Sequence, residues 1–94
     1  MKIVGIVWLP EIVDKLNYKH NVQVEEVEQI LENRPTFRFA QRGNHEGEDA
    51  YAAFGQTEAG RYIVVIFIYK QNQEVLILSA RDMAVKEKKW YGRK

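Results

Sequence analysis

Apolar positions along the chain keep two different rhythms, and the switch between them separates a helical first part from a β-rich second part. The run Ile3 to Trp8 is rich in β-branched residues and suits a first strand, with Pro10 just beyond it at a position that opens helices. Ile12, Val13 and Leu16 then recur at helical spacing, and His20 continues the row 12, 16, 20 on the same face, so a first helix is expected over Pro10 to His20. Asn21 and Val22 interrupt the period. A second helix follows over Val24 to Glu32, with Val24, Val27, Ile30 and Leu31 as its buried stripe. Glu25 and Glu26 lie in its first turn, where the helix dipole favours negative charge, and Asn33 and Pro35 end it.

From Thr36 the period falls to two. Phe37 and Phe39 alternate with Arg38, Ala40 and Arg42, which predicts a strand with arginines on one face. Gly43 to Gly47 is a loop by composition, Asp49 to Thr57 resumes a strand, and Glu58, Ala59 and Gly60 make a hairpin turn. Arg61 to Lys70 is apolar on both faces, as expected of a central strand covered on both sides. Gln71 to Gln73 turn the chain into a last strand over Glu74 to Ala80. Asp82 suits the N-cap of a final helix from Met83 to Tyr91, which Gly92 is suited to end. The expected fold is therefore α+β: two N-terminal helices and a C-terminal helix on an antiparallel sheet, with a short N-terminal strand.

The chain has 94 residues, 46% of them apolar and 29% charged, which fits one globular domain over residues 1–94. A domain this short buries only about two-thirds of its unfolded surface, so a homodimer or another protein partner is expected to stabilise it. The formal charge of +1 does not by itself point to nucleic acid, but the charges are segregated. Lys86, Lys88, Lys89, Arg93 and Lys94 crowd the end of the chain around a lone acid, Glu87, while Val24 to Glu32 is acidic without a base. Either segment suits a partner of opposite charge or a solvated helix face. There is no cysteine, which excludes disulfides and thiolate chemistry and is compatible with a reducing compartment. No apolar run approaches the roughly 20 residues of a membrane helix, so no membrane association and a cytoplasmic location are expected.

Phosphate loops, dinucleotide fingerprints and nucleophile elbows are missing. His45 with Glu46 and Glu48 is a poor metal-ligand pattern, and neither a metal nor any other cofactor is expected. Arg81 closes a buried strand, and Glu87 and Tyr91 are four apart on the final helix. Two readings fit that spacing. The three side chains can bind a phosphate and move a proton, or Arg81 can pair with Glu87 while Tyr91 packs beside Met83 and Trp90. Lys19 and His20 are open to the same two readings, as phosphate ligand and general acid or base, or as a helix end with a partly buried histidine. Arg61 after the hairpin turn is either an exposed residue or one phosphate contact among several.

Taken together and in order, these residues resemble the BrnT family of ribonucleases from type II toxin–antitoxin systems. The resemblance covers nearly the whole chain: Trp8 before the first helix, Lys19, His20 and Val22 at its end, Glu25 and Glu26 opening the second, and the hairpin Gly55 to Arg61. Ser79, Ala80 and Arg81, then Glu87 and Tyr91, stand at the family's spacing. The sequence departs from the pattern at Leu16, where many members have asparagine, at Asn21 for glycine, and at Gln23 for a capping serine. Tyr69 and Lys70 occupy a region where many members show an arginine.

The resemblance implies a RelE-like fold and a metal-independent endoribonuclease, in which a ribose 2′-hydroxyl attacks the neighbouring phosphate and cations stabilise the phosphoryl oxygens. It also implies neutralisation by an antitoxin with a ribbon-helix-helix domain, whereas the segment Gly43 to Tyr51, with its Gly-Glu-Asp, resembles a divergent branch of the family whose members often stand without an obvious antitoxin. Carried over by residue, Arg81 is the phosphate-stabilising cation, Glu87 and Tyr91 a proton-handling or positioning pair, and Lys19 with His20 a second cationic or proton-donating edge. Arg61, Lys70 and Arg38 are the expected RNA contacts. The alternative is a non-catalytic interaction module on the same scaffold, which the near-neutral charge favours because RNA binding usually needs a concentrated basic surface.

Overall fold

The computed structural model describes residues 1–93, so Lys94 of the basic segment lies outside the described residues. The chain runs β1 (Gly5–Val7), α1 (Pro10–His20), α2 (Val24–Glu32), β2 (Thr36–Gln41), β3 (Ala50–Gln56), β4 (Tyr62–Tyr69), β5 (Glu74–Asp82) and α3 (Val85–Gly92). The strands form one sheet in the order β1-β5-β4-β3-β2. Strands β2 to β5 make the expected antiparallel meander, and β1 joins its far edge parallel to β5. The sheet is thus mixed. A parallel pair cannot be closed by a hairpin, and here nearly the whole chain lies between its two strands.

Helices α1 and α2 cover one face. Leu16, Val22, Val27 and Ile30 pack there with Ala53, Ile63, Val65, Phe67, Val75, Ile77 and Ala80. Val27, Ile30, Ile63, Val65 and Phe67 are fully buried, each contributing roughly 1.5–3 kcal/mol of hydrophobic stabilisation. The α2 helix can come this close because β3 carries Gly55 beneath it: a Cβ there would sit 3.2 Å from the Ile30 Cγ2. Asn21, which stands where glycine is usual, ends α1 in the left-handed region with φ 53°. Asparagine tolerates that conformation better than most residues, so the helix still closes, through Asn21 N–H to Asn17 O and Val22 N–H to Leu16 O.

The second face is covered at one end by α3. Ala52, Phe54, Val64 and Met83 are buried under it, joined by Tyr62, Ile66, Trp90 and Tyr91. Burial on both faces explains why β4 reads as apolar throughout, and β4 is indeed the central strand.

Strands β3 and β4 are each one residue shorter at both ends than expected, and larger differences lie at the end of β5 and in β2. Strand β5 runs through Arg81 to Asp82, because Ile63 and Val64 of β4 offer it partners that far. Asp82 is therefore a strand residue and not a cap; α3 begins at Val85, and Glu87 accepts the Ala84 N–H at 2.7 Å in the capping role. At the other edge the β2–β3 register shifts between Phe39 and Gln41, and the strand ends at Gln41, which leaves Arg42 outside it. Among the described residues no helix is long and apolar enough to cross a membrane.

Candidate functional site

Alternation along β5 sends Arg81 and Asp82 to opposite faces of the sheet, and each finds an ion partner there. On the α3 face, Arg81 Nη1 and Nη2 donate to Glu87 Oε1 and Oε2 at 2.7 and 3.0 Å, a two-pronged contact matching the planar fork of the guanidinium. Nη1 also donates to the Asp82 carbonyl at 3.1 Å. Glu87 is held twice, by Arg81 and by the Ala84 N–H, so it joins the end of β5 to the first turn of α3. Hydrogen bonding from Arg81 holds the Glu87 carboxyl below its ordinary range, and Glu87 in turn raises Arg81. Glu87 is accordingly an ionised acceptor near neutral pH. The Arg81 side chain remains 43% exposed, so the pair faces solvent.

On the other face, Arg61 gathers three chain segments. Its Nε and Nη2 reach the Asp82 carboxylate at 2.7 and 3.2 Å, its Nη1 reaches the Asn21 carbonyl at 2.6 Å and Glu26 Oε1 at 3.1 Å, and its Nη2 also reaches the His20 carbonyl at 2.9 Å. These carbonyls are the orphaned acceptors at the end of α1, so one guanidinium ties that end to the start of α2 and the end of β5. Glu26 also accepts the Gln23 N–H at 2.9 Å, the part that the third helical residue plays in a capping box. The hydrogen bond from Arg61 holds the Asp82 carboxyl below its ordinary range, with weaker help from Lys88 and His20.

Of the residues singled out from sequence, the fold brings Arg81 and Glu87 into contact. Tyr91 packs edge-on to Tyr62, with ring centroids 6.0 Å apart, and among the described residues no hydrogen bond joins it to that pair. This is the packing reading of the spacing: Arg81 pairs with Glu87, and Tyr91 joins Trp90 against the cluster that holds Met83. Lys19 is exposed at the end of α1, and His20 beside it lends its carbonyl to Arg61. Lys70 lies just past the end of β4 remote from Arg81: Val64, the partner of Arg81, is six residues away, about 20 Å of strand.

Arg38, from β2, reaches the α3 face, where its Cζ lies 4.9 Å from the centroid of the Trp90 ring. Together with Phe54, Lys86, Glu87 and Trp90 it lines a groove of about 270 Å³ beside the Arg81–Glu87 pair. Phe54, Lys86 and Trp90 were not legible as site residues, since Trp90 read as packing beside Tyr91, Lys86 as one of several terminal cations, and Phe54 only as part of a strand. The one available signal was that Lys86 and Trp90 are four apart, hence on one helix face. That Arg38 faces them depends on strand order.

Comparisons with known proteins agree with this fold. A model of the family described as "Ribonuclease toxin, BrnT, of type II toxin-antitoxin system" matches residues 10–87. The crystal structure of the ribonuclease toxin BrnT from Brucella abortus superposes with a TM-score of 0.62 at 18% sequence identity, covering 86% of this chain and 97% of that one. At that identity the likeness is one of fold. No curated protein matches the sequence.

Proposed function

The chain belongs to the BrnT family of ribonuclease toxins of type II toxin–antitoxin systems, and from that premise we propose that it is a metal-independent endoribonuclease with Arg81 as the cation on the scissile phosphate. The observation that carries this reading is the two-pronged Arg81–Glu87 contact at a partly exposed strand end. In the proposed reaction a ribose 2′-hydroxyl gives up its proton to water and attacks the adjacent phosphorus, and the 5′-oxygen of the next nucleotide leaves and takes a proton from water, giving a 2′,3′-cyclic phosphate and a 5′-hydroxyl end. Negative charge builds on the phosphoryl oxygens, and a guanidinium already fixed in place stabilises it without reorganisation. Glu87 is a positioning residue, because its lowered proton affinity makes it a weak base and a poor acid near neutral pH. Tyr91, Lys19 and His20 carry no step in this reading, as no side-chain hydrogen bond joins them to the pair among the described residues. Neutralisation by a cognate ribbon-helix-helix antitoxin and action in the cytoplasm complete the proposal.

The test is induction of the parental protein and of Arg81→Ala in a bacterial host, with mapping of RNA ends. Growth arrest and new ends with the parental protein alone support the enzyme. A second reading, a non-catalytic interaction module, draws on the same contact: both terminal nitrogens of Arg81 are engaged by Glu87, so a phosphate must compete for them. No arrest and no new ends with the parental protein would establish that reading instead.

A further inference from the structure

We propose that the groove between β2 and α3 is a stacking subsite for one unpaired base of single-stranded RNA, held between the Trp90 indole and the Arg38 guanidinium. The proposal rests on the RNA-cleaving reading and names how that site takes its substrate. Trp90 and Phe54 meet edge to face, with ring centroids 4.9 Å apart, which fixes the indole against a buried neighbour. Arg38 is exposed and already lies over the indole, so it can swing outward to admit a ring and close on it. Aromatic rings and arginine planes are the two surfaces on which single-stranded bases stack.

Size and charge favour the same occupant. At about 270 Å³ the groove is below the roughly 300–1,000 Å³ of sites for drug-sized molecules, which suits a single flat ring system. Arg38 and Lys86 line it, and its acid, Glu87, is neutralised by Arg81. Since Glu87 borders the groove and holds Arg81, a base in the groove places its own phosphodiester beside that guanidinium.

The two tryptophans allow a direct test, because Trp8 lines a separate pocket next to β1. Full-length Trp8→Phe protein, with Trp90 as its reporter, is titrated with a single-stranded 2′-O-methyl oligonucleotide that cannot be cleaved. Saturable quenching of Trp90 emission is expected, with a matching duplex giving much less. Stacking on one aromatic side chain changes affinity by roughly 5- to 150-fold, so Trp90→Leu should weaken binding within that range, followed by labelled oligonucleotide. Arg38→Gln, at an exposed strand position, should weaken it about tenfold. Unchanged Trp90 emission, or equal oligonucleotide affinity in Arg38→Gln and parental protein, overturns the subsite. Cleavage separates the two proposals. RNA cut while Trp90 stays silent removes the subsite alone, and quenching without any cleavage of natural RNA removes the nuclease reading alone.

Discussion

Arg81 and Asp82 are adjacent in sequence and turn to opposite faces of β5, so that each closes a different ion pair, Arg81 with Glu87 and Asp82 with Arg61. The last two residues of one strand thereby divide the labour. One pair is the proposed phosphate site, and the other binds the helical layer to the sheet. Substitutions on the two sides are expected to separate activity from stability.

On the Arg81 side, loss of a fixed electrostatic donor costs about 10²–10³ in rate. Arg81→Ala is expected to lower RNA cleavage by that factor while retaining the circular dichroism of the parental protein. Arg81→Lys should recover little of it, because an ammonium cannot reproduce the two-pronged geometry. Full activity in Arg81→Ala would remove the assigned role.

On the Arg61 side, substitution should act on folding. Arg61→Met leaves Asp82, Glu26 and the carbonyls of His20 and Asn21 without their donor. Charged hydrogen bonds contribute about 1.5–3 kcal/mol, and partial exposure of this group favours the lower end for the whole substitution. Urea unfolding measures the loss, and cleavage assayed well below the melting temperature should survive.

Acidification should weaken the fold through both carboxylates. Glu87 and Asp82 are held below their ordinary values of 4.5 and 3.8, chiefly by hydrogen bonds from Arg81 and Arg61. A depressed carboxyl stabilises the folded chain above its unfolded value and loses that contribution as pH falls through the folded one. Stability from these pairs is therefore complete above about pH 5 and fades below it. Glu87→Gln should flatten the acid limb of a thermal unfolding series, and an unchanged slope would argue against the pairing in solution.

At the helix–sheet contact, Gly55→Val is expected to destabilise by about 1–3 kcal/mol, because its side chain would enter space held by Ile30. Ile30→Ala should cost about 2–5 kcal/mol by leaving a cavity. Chemical denaturation of both variants checks the close approach of α2 to β3.

The sequence alone determined what depends on neighbours along the chain. The periods of Ile12, Val13 and Leu16 and of Val24, Val27 and Ile30 place the first two helices at their observed bounds, and the apolar run after Arg61 marks the central strand. Arg81 and Glu87 were legible as partners because a strand end and the next helical turn can hardly avoid one another. Tertiary structure decided the rest. Asp82 became a strand residue because β4 continued to pair with its neighbours, β1 ran parallel because its partner lies at the far end of the chain, and Arg61 became a tie because three remote segments converge on it. Arg38 met Trp90 for the same reason: strand order and the crossing of α3 bring together residues whose separation in sequence carries no local signal.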